Sequence, residues 1–121
     1  CFSIIFIQSA LDSNDEKQRQ LDAWIAVQRG HAVANGIPVL TVNRVGFEKD
    51  DSGVLKGTQF WGNSFVFGAQ GEFLSHANHQ NEEIVYTTID LKQSESVRRW
   101  WPFLRDRRIE CYNDITKRYR D

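Results

Sequence analysis

Two signals near the start of the chain bracket a helix long enough to cross a small domain. Ser13, followed three positions later by Glu16, is a capping-box pattern, and Asp15 and Glu16 stand where the helix dipole favours negative charge. Gly36 suits the left-handed position that closes a helix, and Pro38 forbids its continuation. The predicted helix therefore covers residues 14–35, with Leu21, Trp24, Ile25, Ala32 and Val33 as its apolar stripe. Gly30 lies inside it at a cost of about 1 kcal/mol against Ala, and a glycine kept at that cost predicts close approach of another backbone. Apolar, β-branched runs flank the helix at residues 2–7 and 39–45, and both read as strands of a sheet covered by helices. A β-α-β opening of this kind places the chain in the α/β class.

Beyond it, Asp50-Asp51-Ser52-Gly53 is turn-rich and residues 59–67 predict a further strand. Gly68-Ala69-Gln70-Gly71 has turn glycines at both ends, which predicts a hairpin into a strand over 72–76. After a polar loop at 78–82, residues 84–91 predict a last strand. Residues 92–101 and 109–119 predict two closing helices, separated by Pro102 and the block Arg105-Asp106-Arg107-Arg108. No repeat or low-complexity segment interrupts this order. With 121 residues, 40% of them apolar, the chain holds enough core for one domain and too little for two.

Charge is unevenly placed. Residues 1–91 carry six Lys/Arg against eleven Asp/Glu, a net of −5, whereas residues 92–121 carry nine against five, a net of +4. The basic segment also holds Trp100, Trp101, Phe103, Leu104, Ile109, Tyr112 and Ile115, so it reads as a packing or interface element, with Arg105 to Arg108 in salt bridges and no nucleic-acid motif around them. No apolar run approaches the ~20 residues of a membrane span, and no targeting segment is visible. Cys1 and Cys111 lie in no metal or redox spacing and read as reduced thiols of a cytoplasmic protein. His31, His76 and His79 likewise show no zinc spacing. The chain starts with Cys and contains no Met, which reads as a processed or partial chain.

Three stretches carry a resemblance. Gln28-Arg29-Gly30-His31-Ala32-Val33-Ala34-Asn35-Gly36-Ile37-Pro38, running into Val42-Asn43-Arg44-Val45-Gly46, resembles the helix and strand after the nucleophile in carbon–nitrogen hydrolases, the nitrilase superfamily. Phe60-Trp61-Gly62-Asn63-Ser64-Phe65-Val66-Phe67-Gly68 resembles that family's Gly-x-Ser strand and the turn after it. Trp101-Pro102-Phe103-Leu104-Arg105-Asp106-Arg107-Arg108-Ile109 is similar to the C-terminal block of the family's N-carbamoylputrescine amidase subgroup. The resemblance implies the C-terminal half of an α-β-β-α sandwich, with a mixed sheet, that dimerises through its outer helices. It also implies hydrolysis of an amide-type C–N bond through a Cys thioester, with Glu as base, Lys holding the oxyanion, and no metal or cofactor. Those three groups belong upstream of residue 1. Cys1 lacks the Trp-Asp that follows the family nucleophile, and Lys17, Lys49, Lys56, Lys92 and Lys117 match no family position. No catalytic residue is therefore expected in this chain, and alone it is expected to be inactive. The implied partners are a small-molecule N-carbamoyl amine or amide and further copies of the chain, without nucleic acid or membrane. The rival reading is a non-catalytic remnant that keeps the dimerising surface.

Five residues are expected in or behind the pocket. Asn43 and Arg44 leave a buried strand at its carboxyl end, where this architecture places the pocket, and each needs a hydrogen-bond network that supports either the nucleophile loop or the fold. Ser64, beside Gly62, marks close backbone approach and has no His or Asp placed to activate it as a nucleophile. His31 lies on the helix that the resemblance sets beneath the active site, as a structural histidine or a substrate contact. Asp12, with Asp15 and Glu16, caps the helix or meets the distal ammonium of a diamine-derived substrate. An N-terminal-nucleophile role for Cys1 finds no supporting pattern, and Cys111 reads as a small core or interface residue. Where the family strand ends Tyr-Pro-Thr-Ala-Ile-Gly, this chain has Phe6-Ile7-Gln8-Ser9-Ala10-Leu11, a departure in the loop expected beside the substrate.

Overall fold

A computed structural model describes residues 14–119. The long helix forms where its signals place it, as α1 (Asn14–Asn35). Gly36 sits at φ 60°, its N–H donates to the Val33 carbonyl (3.2 Å), and the Ile37 N–H reaches back to Ala32 (3.1 Å), so the helix ends in a Schellman motif. Gly30 departs from expectation among the described residues, none of which comes within 4 Å of a Cβ built on it.

After α1 come β1 (Val39–Thr41), β2 (Val45–Lys49), β3 (Gly57–Trp61), β4 (Phe65–Phe67) and β5 (Phe73–His76). They form an antiparallel sheet ordered β1-β4-β5 and a two-stranded antiparallel β2-β3 ribbon. The strands predicted at 39–45 and 59–67 are thus each cut in two. The cuts face each other and keep register: Val39 pairs with Phe67 and Thr41 with Phe65 on one side, Val45 with Trp61 and Lys49 with Gly57 on the other. One long ribbon has been bent at residues 42–44 and 62–64, with no residue inserted in either arm. The bend is built from Gly62 (φ 58°) and Asn63 (φ 55°), consecutive residues in the left-handed region, and Asn is among the few non-glycine residues that enter it readily.

The β4–β5 hairpin closes as predicted, with the Gly68 N–H on the Glu72 carbonyl (2.9 Å) and the Gly71 N–H on that of Gly68 (3.0 Å). A register shift at Val66/Phe67 puts a bulge in its ladder. Every pairing among the described residues is antiparallel. The strand predicted at 2–7, which a mixed sheet would need, lies outside them.

Two predicted elements do not form. Residues 84–90 run without regular structure, and Ile84 and Tyr86 stand exposed. An extended segment becomes a strand only beside another strand, and none of the described ones pairs with this segment. At the C-terminus α2 (Leu91–Trp100) forms, its N-terminus capped by Asp90, whose side chain accepts from the Lys92 N–H. The helix predicted at 109–119 shrinks to a 3₁₀ turn, Ile109–Cys111, because eleven residues that bury no apolar face cannot hold a helix against fraying. Cys111 is exposed there, and is not a core residue of this chain.

The core lies between α1 and the three-stranded sheet and consists of Trp24, Ala32, Trp61, Phe65 and Phe67, with Leu21, Ile25 and Val39 packed against it. Trp24 meets Phe65 edge-on at 5.2 Å between ring centroids. Arg29 lays its guanidinium over Phe67 (5.1 Å) and Phe73 (4.9 Å), closing the core at the hairpin end. This packing holds the carboxyl end of β1, and with it the bend, in a fixed place.

Candidate functional site

At the bend, Asn43 and Ser64 lock the two arms together. The Asn43 N–H donates to Ser64 Oγ (2.9 Å), and the same hydroxyl donates back to the Asn43 carbonyl (3.2 Å). Asn43 Nδ2 donates to the Gly62 carbonyl (3.0 Å), and Asn43 Oδ1 accepts from the Arg44 N–H (2.9 Å). The Gly62 N–H then reaches the Arg44 carbonyl at 2.8 Å. One asparagine and one serine side chain thereby satisfy backbone groups that the interrupted ladder leaves open. Gly62 is required at this point, since a Cβ there would lie 2.8 Å from the His79 Cα and from Val45 Cγ1.

Arg44 leaves the clasp in the other direction. Its guanidinium stacks 4.0 Å from the centroid of the buried Phe60 ring and pairs with Glu48 at 2.9 Å. Its side chain remains half-exposed at the edge of the site, its charge met by a carboxylate.

The clasp borders a groove of about 670 Å³, lined by Asn43, Arg44, Ser64, Val66, Asn78 and Tyr86 among others. Glu82 and Glu83 stand at its lining, and Glu83 Oε1 accepts from the Asn78 N–H at 2.6 Å. A second hollow of about 540 Å³, between the first turns of α1 and β3, is lined by Lys17, Trp61, Asn63 and His79. Three of the five expected residues, Asn43, Arg44 and Ser64, therefore meet at one place. His31 lies on the exposed face of α1 and lines neither hollow. Asp12 lies outside the described residues. Of its two neighbours, Asp15 is exposed, while the Glu16 carboxylate takes hydrogen bonds from Arg19 (2.7 Å) and Gln20 (3.0 Å), which hold its pKa below the usual glutamate value.

Sequence reading did not foresee the left-handed Gly62-Asn63 pair or the stacking of Arg44 on Phe60. The first had a signal, because Gly next to Asn is a turn dipeptide even inside an apolar run. Chemically the site is a rigid frame. The Ser64 hydroxyl is bonded at both ends to Asn43, and among the described residues no three His, Cys, Asp or Glu side chains come together as a metal site would require. Nor is any described helix long and apolar enough to cross a membrane.

The carbon-nitrogen hydrolase family pattern matches residues 3–99. Citrullinase from Francisella tularensis is 36% identical over 98 residues, 81% of this chain and 33% of that protein. N-carbamoylputrescine amidase from Oryza sativa is 35% identical over 113 residues, 90% of this chain and 37% of that one. The chain thus spans about a third of the length of these curated relatives. The crystal structure of a carbon-nitrogen hydrolase from Helicobacter pylori G27 superposes with a TM-score of 0.91 at 56% identity, covering 96% of this chain and 40% of that one. The α/β architecture seen here matches part of that enzyme's fold, and the chain belongs to the carbon-nitrogen hydrolase family.

Proposed function

We propose that the chain is the C-terminal part of an amidohydrolase that cleaves the ureido group of a small N-carbamoyl amine, with N-carbamoylputrescine the leading substrate. The observation that carries this reading is the 35% identity to an N-carbamoylputrescine amidase across 90% of the chain. The name of the citrullinase relative points the same way, since citrulline also carries a ureido group on an alkyl chain. One water converts such a substrate into the free amine, carbon dioxide and ammonia.

In this proposal the nucleophilic Cys, the Glu base and the oxyanion-binding Lys come from the part of the enzyme that precedes this chain, and no metal or cofactor takes part. The Asn43–Ser64 clasp and the Arg44–Phe60 stack keep the loop at the end of β1 at a fixed height beside those groups. Asp12, ahead of α1, supplies negative charge for the distal ammonium of the diamine. The enzyme works as a homo-oligomer in the cytoplasm, within polyamine synthesis, and the 121 residues alone do not turn over substrate.

Ammonia release by the protein in which its upstream part precedes this chain tests the reading. Asp12→Asn is expected to raise KM for N-carbamoylputrescine at least several-fold, and to leave N-butylurea, which has the same ureido group and no ammonium, unaffected. Equal effects on both substrates would remove Asp12 from the site. Absence of turnover on either would refute the substrate class.

A further inference from the structure

We draw no further inference here: the strongest candidate, the exposed apolar patch of Trp100, Trp101, Phe103 and Leu104 beside the hollow between the C-terminal end of α1 and α2, carries nothing because the chain spans about a third of its relatives' length and nothing in the structure shows what covers that patch.

Discussion

Asn43 and Ser64 divide one task between them, and removing either tests how it is shared. Ser64→Ala takes away a hydroxyl that both accepts and donates in a half-buried setting, which is expected to cost about 1–2 kcal/mol in denaturant unfolding. Asn43→Ala also orphans the Gly62 carbonyl and the Arg44 N–H, so its cost should be larger, about 2–3 kcal/mol. A Ser64→Ala change that proves neutral would mean that the hydroxyl is exchanged for water without loss. Asp50 makes a different prediction, one about pH. Its carboxylate accepts from the Ser52 hydroxyl (2.8 Å) and from the Ser52 and Leu55 N–H groups (2.9 and 2.8 Å), and these bonds, the hydroxyl's first, lower its pKa. A lowered folded-state pKa means that the order it lends the β2–β3 loop is present above the usual aspartate range and is lost as pH falls through the folded-state value. NMR of that loop in the protein with its upstream part in place should show the Ser52 and Leu55 amide signals shift together at acid pH. Asp50→Asn should abolish that shared transition, and its persistence in the variant would reassign it to another group.

Elements were legible in the sequence where the information that makes them is local. Helix α1 carries its own stripe and its own stop, and its boundaries follow. The β4–β5 hairpin carries its own glycines. The bend between β1 and β2 is not local, since it is made by Asn43 meeting Gly62 and Ser64 about twenty positions away, so a run of apolar residues concealed it. Residues 84–90 have the composition of a strand and lack only a strand partner among the described residues, which composition cannot report. At the site the sequence pointed to Asn43 and Arg44 as network residues and to Ser64 as a point of close backbone approach, and the structure joins Asn43 to Ser64 directly while sending the Arg44 side chain to Phe60 and Glu48. Two glycines then separate packing from propensity. Gly30→Ala fills open space on a helix and should raise stability by about 1 kcal/mol. Gly62→Ala forces a side chain into a left-handed residue against the His79 backbone and should lower it by at least about 1–3 kcal/mol. Thermal melts of the two variants should move in opposite directions. A destabilising Gly30→Ala would reveal a neighbour on that face of α1.

At the scale of the molecule, the described residues form a framework around a groove. Its core sits on one side of the three-stranded sheet, while the other side borders the groove that residues 84–89 fringe with exposed apolar side chains. Faces of this kind are normally covered, so the isolated chain should associate with itself or precipitate at micromolar concentration. A stable monomer in sedimentation would contradict that. Among the described residues no activated nucleophile is built, and this has a sharper consequence. Hydrolysis of a ureido bond at neutral pH needs a nucleophile, a base within about 3 Å of it and a donor for the developing oxyanion, and the described residues bring no such set together. The direct measurement is ammonia release from N-carbamoylputrescine by the 121-residue chain, by its Cys1→Ser variant, and by a chimera in which the chain replaces the matching 40% of the Helicobacter pylori relative. Turnover is expected from the folded chimera and from neither the chain nor its variant. Turnover by the chain alone that vanishes with Cys1→Ser would contradict it, and would place the nucleophile at residue 1.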